Sequence, residues 1–154
     1  MEYEGKLIAS NDAKVAIVVS KFNKSVTDKL RAGAKSIFLR YGIAENNIDT
    51  VWVPGAFEIP AIAKLLLSSN KYDGVCALGS VIKGQTSHYD YVCSGVTSGI
   101  NQIALEFSTP ITFGVLTTDT LEQAQQRAGG KGGNKGEECA TDIIELIDLR
   151  KQLS

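Results

Sequence analysis

Four short runs of β-branched and other apolar residues alternate with longer segments in which apolar residues recur at helical spacing. The runs are KVAIVVS at 14–20, IDTVWV at 48–53, GVCALGSVI at 74–82 and ITFGVLTT at 111–118. Short continuous apolar runs bounded by turn residues are typical of strands buried on both faces. Because helices follow each of them, the sequence predicts an α/β fold with one four-stranded parallel sheet and helices on both faces.

Helices are predicted between and after the strands. In the first, the apolar pattern runs from Val26 to Tyr41, Asn23 or Ser25 is a candidate cap, and Gly42 is the stop signal. The others are expected over about 58–69, from about Ser87 to Phe107, from a capping box (Asp119 with Glu122, or Thr120 with Gln123) to Arg127, and around the apolar face Ala140, Ile143, Ile144 and Ile147. The glycine-rich GGKGGNKG, 129–136, is predicted to be a turn.

The chain is predicted to be one domain over residues 1–154, since its length suits a single core. A net charge of −1 argues against binding nucleic acid or an anionic membrane through bulk electrostatics. The sequence shows neither an apolar run of transmembrane length nor a signal peptide. Three cysteines without a CxxC pair fit reduced thiols, so we expect a cytoplasmic protein with no metal site.

The carboxyl ends of the predicted strands are where a ligand should bind, because parallel sheets form crevices there. Phe22 follows the first strand, Phe57 and Glu58 follow the second, and Phe113 lies within the fourth. Aromatic rings at such ends can stack on a flat heterocycle, and a carboxylate can accept hydrogen bonds from sugar hydroxyls. The alternative for each aromatic residue is ordinary core packing.

The segment from Lys83 to Thr86 precedes the third predicted helix and is suited to phosphate, because a helix N-terminus presents free N–H groups. Plain capping by Thr86 or Ser87 is the alternative. His88, the only histidine, falls in the first turn of that helix. Histidine exchanges protons near neutral pH, so His88 is either a general acid–base or a surface residue.

Near the glycine-rich turn, Arg127 and Lys135 are further candidates. Arginine suits phosphate binding, but Arg127 can equally complement the negative end of its own helix. Lys135 can equally be solvated, as can Glu137 and Glu138, which favour the start of the last helix.

Together, these segments resemble the lumazine synthase family. The matching stretches cover nearly the whole chain and are KFN (21–23), VPGAFEIP (53–60), GSVIKGQTSHYDYVC (79–93), FGVLTTDTLEQAQQRAGGKGGNKGEECA (113–140) and the terminal amphipathic helix. The resemblance implies a flavodoxin-like three-layer α/β/α sandwich. It also implies a transferase of riboflavin biosynthesis that condenses 5-amino-6-(D-ribitylamino)uracil with 3,4-dihydroxy-2-butanone 4-phosphate, without a cofactor or a metal. The family often has arginine at the position of Lys21, and both serine and threonine occur in it at the position of Ser80.

The resemblance further implies a role for each matching residue. The pyrimidine and its ribityl chain would be bound by Phe22, Ala56, Phe57, Glu58, Ser80, Val81, Ile82 and Phe113, the last of these coming from a neighbouring subunit. Gln85, Thr86 and Arg127 would hold the phosphate, and His88 would transfer protons. Lys135 and Glu138 would lie close by as accessory residues. Tyr89, Tyr91 and Cys93 are interpreted as packing residues of the third helix.

Assembly is also implied by the resemblance. The family forms homopentamers with an active site between adjacent subunits, and many bacterial members close twelve pentamers into an icosahedral shell. The compact turn at 129–136 favours the shell here, and such a shell can enclose riboflavin synthase. Residues 1–12 are expected to pair with a neighbouring subunit, which would cover an open sheet edge.

Three rival functions fit the same fold less well. A flavin-binding electron carrier needs a glycine-containing phosphate loop after the first strand, and SKFNKS has no glycine. A phosphorylated receiver domain needs acidic residues after the first strand and at the end of the third, where this chain has Ser20 and Ser80. A purely structural shell protein would not need so many polar and aromatic residues at its strand ends.

Overall fold

The computed structural model describes residues 1–154 and contains the predicted parallel sheet. Its strands are Val15–Ser20 (β1), Ile48–Val53 (β2), Gly74–Ile82 (β3) and Ile111–Thr118 (β4), in the order β2-β1-β3-β4. All neighbouring pairs are parallel, so the four carboxyl ends lie at one edge of the sheet. The last three strands have the predicted bounds, and the first begins one residue later than expected.

Five helices cover the sheet. They are Lys24–Arg40 (α1), Ile59–Ser68 (α2), His88–Glu106 (α3), Leu121–Gln126 (α4) and Lys135–Leu153 (α5). One buried cluster joins α1 and α5 to one face of the sheet, and a second joins α2 and α3 to the other face. The fold is therefore a three-layer α/β/α sandwich, which confirms the predicted flavodoxin-like class.

Alternating strand residues divide between these two clusters. In β1, Val15, Ile17 and Val19 face α1 and α5, whereas Ala16 and Val18 face α2 and α3. All six residues of β1 are buried, because this strand lies inside the sheet with helices on both sides. This explains why the strand reads as a continuous apolar run rather than an alternating one.

Several predicted helix ends are confirmed. Gly42 follows the end of α1 with a φ of 97°, a conformation that glycine adopts without a steric penalty. The Thr120 hydroxyl accepts a hydrogen bond from the Gln123 amide at 3.1 Å, so Thr120 caps α4. The helices α2 and α3 begin one residue later than expected, and α2, α3 and α4 each end one residue earlier.

The segment at 129–136 contains more structure than the predicted turn. Ala128–Gly130 (β5) and Gly133–Asn134 (β6) form a small antiparallel ribbon. Lys135 then belongs to the first turn of α5 and not to the loop. Glycine permits the ribbon because Gly129 and Gly133 adopt φ angles of 101° and 85°.

No helix or strand precedes β1, and residues 4–6 lie along α5 of the same chain. The Lys6 amide donates to the Asp148 carboxylate at 2.8 Å, and the Gln152 side chain donates to the Glu4 carbonyl at 2.7 Å. Gly5 permits this contact, because a Cβ atom there would collide with the Glu145 carbonyl.

None of the helices combines the length and apolarity needed to cross a membrane.

Candidate active site

The loops that follow β1 and β2 are joined directly at the carboxyl edge of the sheet. The Lys21 amide donates to the Val53 carbonyl at 2.8 Å, and the Phe22 amide donates to the Pro54 carbonyl at 3.1 Å. These bonds continue the pairing of the two strands past their ends. They bring Phe22 next to the loop that leads to Phe57.

Both aromatic residues of these loops are exposed within one chain. Phe22 retains 71% of its accessible surface and Phe57 retains 61%. The Phe57 ring lies against Gly95 of α3, where a Cβ atom would be 2.7 Å from the ring. Core packing within the subunit is therefore excluded as the role of either ring, and both are available for stacking.

Ala56, Phe57 and Glu58 form a short 3₁₀ turn that leads into α2. Ala56 is buried, whereas Glu58 is half-buried and the Glu58 carboxylate has no hydrogen-bond or ion-pair partner in the protein. An unpaired carboxylate at the mouth of a crevice is free to accept hydrogen bonds from hydroxyl groups. The turn therefore presents one aromatic ring and one acceptor on the same short segment.

The end of β3 forms the centre of this edge. Ser80 is buried, and Val81 and Ile82 are half-buried. The Ser80 hydroxyl has no partner in the protein, and neither has the hydroxyl of Ser20 at the end of β1. Beyond Ile82, the Lys83 amide donates to the Thr118 carbonyl at 2.9 Å, so the sheet pairing extends one residue further.

The side chain of Asn23 has a partner that the sequence pattern did not predict. It was a candidate cap for α1, but its side chain makes no capping bond. Its amide nitrogen instead donates to the Ser80 carbonyl at 2.8 Å, and its backbone is left-handed with a φ of 62°. Asparagine tolerates this conformation better than most residues, which is the one signal that the sequence offered.

The start of α3 is open to solvent. Gln85, Thr86, Ser87 and His88 are all exposed, and Ser87 makes no side-chain capping bond. The Thr86 hydroxyl accepts a hydrogen bond from the His88 amide at 3.3 Å, but Ser87 occupies the N-cap position without a side-chain bond, so plain capping by Thr86 or Ser87 is not seen. The positive end of this 19-residue helix lies among exposed residues, which suits an anion.

His88 is the first residue of α3, and its imidazole has no hydrogen-bond or ion-pair partner in the protein. Of its neighbours, Tyr89 is half-buried, and burial raises the pKa of its phenol. Cys93 is likewise half-buried, and burial raises the pKa of its thiol. Tyr91 is 73% exposed, so its interpretation as a packing residue within the subunit is wrong.

The other predicted residues lie at the β4 side of the molecule. Phe113 pairs with Ala77, five residues before the end of β4, so roughly 16 Å separate it from the carboxyl edge. It lines an open groove of about 700 Å³ whose other walls come from α3 and Ile111. No residue from the carboxyl ends of β1, β2 or β3 lines that groove. One chain therefore does not bring Phe113 to Phe22.

Arg127, Lys135 and Glu138 form a small charged group on the same side. The Lys135 amide donates to the Arg127 carbonyl at 2.9 Å, and the Lys135 ammonium lies 4.0 Å from the Glu138 carboxylate. The α5 helix carries this group past β4, where the Thr112 hydroxyl donates to the Cys139 carbonyl at 3.2 Å. Arg127 is exposed and makes no ion pair, so its guanidinium is free to bind an anion.

The predicted residues thus fall into two groups. The strand-end group contains Phe22, Ala56, Phe57, Glu58, Ser80, Val81, Ile82, Gln85, Thr86 and His88. The β4-side group contains Phe113, Arg127, Lys135 and Glu138. A substrate that contacts both Phe113 and the strand-end group requires two copies of the chain.

Comparison with known proteins agrees with the resemblance. The family described as 6,7-dimethyl-8-ribityllumazine synthase matches residues 12–151. A protein of that name from Leuconostoc mesenteroides is 54% identical over 153 residues, covering 99% of this chain and 98% of the relative. Another from Nitratiruptor sp. is 55% identical and covers 97% of each chain.

A third relative with the same name, from Lactiplantibacillus plantarum, is 50% identical over 151 residues and covers 98% of this chain and 94% of its own. The similarity therefore extends through every strand and helix and includes both groups of site residues. With half or more of its residues shared over almost its entire length, the chain belongs to the 6,7-dimethyl-8-ribityllumazine synthase family of transferases.

Proposed function

We propose that this protein condenses 5-amino-6-(D-ribitylamino)uracil with 3,4-dihydroxy-2-butanone 4-phosphate to give 6,7-dimethyl-8-ribityllumazine, the penultimate step of riboflavin biosynthesis. The observation that carries the proposal is the strand-end group, which combines exposed aromatic rings, an unpaired carboxylate and an open helix start at one edge. The names of the relatives specify the product.

The pyrimidine substrate fits the part of the edge formed by β1, β2 and β3. The exposed Phe22 ring would stack on the heterocycle, since aromatic faces bind flat π-systems. Ala56, Phe57 and Glu58 would bind the ring and its ribityl chain, with the carboxylate accepting from hydroxyl groups. Backbone groups of residues 80–82 would complete the subsite.

The phosphate-bearing substrate fits the start of α3. Gln85 and Thr86 lie at this helix end, and phosphate there would interact with free N–H groups and the helix dipole. Arg127 of a neighbouring subunit would add a guanidinium, which binds phosphate through two parallel hydrogen bonds. Lys135 and Glu138 would lie beside it as accessory charges.

The reaction needs repeated proton transfers but no redox step. The 5-amine attacks the ketone, and the carbinolamine loses water to give an imine. Loss of the C3 proton and elimination of phosphate from C4 then leave an enol, which tautomerises to a carbonyl at C3. The ribityl-bearing nitrogen closes the second ring on this new carbonyl with loss of a second water. His88 would donate and accept protons in these steps, while the site holds two reactive substrates together.

Assembly follows from the division of the site. Because Phe113 lies away from the strand-end group of its own chain, we propose that a neighbour supplies Phe113, together with Arg127, in a homopentamer. We further propose that residues 1–12 pair with a neighbouring subunit and that twelve pentamers form an icosahedral shell. Riboflavin synthase is the protein that such a shell would enclose. Sedimentation of only a pentamer-sized species would contradict the shell.

The deciding experiment mixes both substrates with the purified protein and follows lumazine absorbance and fluorescence. We expect product to appear faster than in the uncatalysed mixture, with a rate proportional to protein concentration. Reactions that lack either substrate, and reactions with heat-denatured protein, serve as controls. A rate equal to the spontaneous rate at every protein concentration would refute the proposed activity.

A further inference from the structure

Asn23 connects three of the loops that carry the strand-end group. Its side chain donates to the Ser80 carbonyl at 2.8 Å, which ties the loop after β1 to the end of β3. The adjacent Phe22 amide donates to the Pro54 carbonyl at 3.1 Å, which ties the same loop to the one after β2. Residues 22 and 23 therefore link the ends of three strands.

The backbone of Asn23 is held in an uncommon conformation. Only Asn23 and Asn70 among the non-glycine residues have a positive φ, at 62° and 58°. The left-handed turn at Asn23 points its side chain back to β3 instead of leaving it to cap α1. A residue with a disfavoured backbone conformation and a bond to another loop is expected where a site must be preorganised.

The Ser80 carbonyl accepts a hydrogen bond from the Asn23 side chain, whereas the Ser80 hydroxyl is buried without a partner. With its side chain bonded there, Asn23 fixes the position of the strand end that precedes Val81 and Ile82. It simultaneously fixes the loop that presents the exposed Phe22 ring.

We infer that Asn23 is a positioning residue of the proposed reaction, which sets the distance between the Phe22 ring and the end of β3 and so determines the affinity for the pyrimidine substrate. This inference rests on the proposed function. It concerns the pyrimidine subsite alone, because Asn23 makes no hydrogen bond to the Gln85–Thr86 segment or to Arg127.

The test compares Asn23→Gly and Asn23→Asp with Asn70→Gly and Asn70→Asp. Glycine keeps the left-handed backbone and removes the donor, while aspartate keeps the shape and places a carboxylate against the Ser80 carbonyl. Asn70 is a matched control, because it has the same backbone conformation, is exposed and lies before the opposite end of β3. Two replacements at each site guard against a single variant that fails to fold.

We expect both Asn23 variants to raise KM for the pyrimidine about tenfold, the effect of losing one hydrogen bond that positions a subsite. KM for the phosphate-bearing substrate and kcat should stay within about twofold of wild type, because only the binding of one substrate is weakened. The Asn70 variants should leave both KM values unchanged.

Other outcomes would overturn the inference. If both Asn23 variants lower the melting temperature but leave the two KM values equal to those of the Asn70 variants, Asn23 is only structural. Equal increases in both KM values would likewise contradict a role confined to the pyrimidine. A wild-type protein that neither binds the pyrimidine nor forms lumazine would refute the proposed function itself, whereas an active wild type with unaffected Asn23 variants would refute only the role of Asn23.

Discussion

The side chain of Asn134 lies so close to Gly33 that a Cβ atom on residue 33 would be 2.7 Å from its amide nitrogen. This contact joins the middle of α1 to the start of α5. The Asn134 oxygen accepts from the Glu137 amide at 3.1 Å and caps α5, while its nitrogen donates to the Lys29 carbonyl at 3.1 Å. This close contact explains why glycine, which has a low helix propensity, lies in the interior of α1.

Replacing Gly33 by alanine should therefore destabilise the protein. In an unobstructed helix the change would stabilise by about 1 kcal/mol, but here the methyl group must displace the Asn134 cap. We expect the free energy of unfolding to fall by about 1–2 kcal/mol. Urea titrations at one protein concentration measure this change in the free energy of unfolding. Gly33→Ala combined with Asn134→Ala should cost less than the sum of the single changes, and a simple additive result would contradict the clash.

His88→Ala should slow lumazine formation without abolishing it. General acid–base catalysis typically contributes about a hundredfold or more, and we expect the lower end because the substrates are already reactive. Initial rates at saturating substrate, corrected for the uncatalysed reaction, measure the effect. Tyr91→Phe is the control, because Tyr91 lies in the same helix and is exposed. A folded but wholly inactive His88→Ala variant would show that proton transfer dominates catalysis.

Arg127→Ala should raise KM for the phosphate-bearing substrate by about tenfold or more, because a charge-assisted contact is lost. KM for the pyrimidine should change little, and Arg127→Lys should recover part of the affinity through its charge. Arg150→Ala is the control, since Arg150 is also an exposed arginine but lies in α5 and bonds to Ser108 at 3.3 Å. If Arg127→Ala and Arg150→Ala change KM for the phosphate-bearing substrate equally, Arg127 does not bind the phosphate.

Mixing two defective chains should restore activity if the site lies between subunits. In oligomers co-expressed from His88→Ala and Arg127→Ala chains, about a quarter of interfaces would join two intact half-sites. With the phosphate-bearing substrate well below its KM, we expect lumazine formation at about that fraction of the wild-type rate, compared with about a tenth for Arg127→Ala alone and about a hundredth for His88→Ala alone. Separately purified and unmixed variants are the control. If oligomers verified to contain both chains show no restored activity, His88 and Arg127 of each site come from the same chain.

Stability at high pH should depend on Tyr72. Burial, assisted by a hydrogen bond to Asp49 at 2.6 Å, raises the pKa of Tyr72 to about 12. Above pH 10 the unfolded chain loses this proton while the folded chain retains it, so the free energy of unfolding falls as pH rises from 10 to 12.

Tyr72→Phe should lower stability at neutral pH by about 1 kcal/mol, because the hydrogen bond is lost, and should make the decline above pH 10 less steep. Urea unfolding at pH 8, 10 and 11 tests this, with Tyr91→Phe as a matched control of an exposed tyrosine. An unchanged slope in Tyr72→Phe would show that other groups cause the decline.

Local sequence was sufficient for most of the fold. The strands at 48–53, 74–82 and 111–118 were predicted with their observed bounds, since burial on both faces demands continuous apolar runs that turn residues interrupt. The apolar face of α5 was predicted because Ala140, Ile143, Ile144 and Ile147 recur at helical spacing. The ribbon around Gly129 and Gly133 was not predicted, because positive φ angles leave no periodic pattern in the sequence.

For the site, sequence by itself determined which residue types follow each strand, and long motifs determined the family. Only the tertiary structure decided that Phe22 and Phe57 are exposed, that Asn23 turns to Ser80, and that Phe113 lies away from the carboxyl edge of the sheet. The physical reason is that helix and strand patterns arise from neighbours along the chain. Exposure, side-chain direction and the separation of two half-sites depend on contacts between distant segments, which a local pattern does not contain.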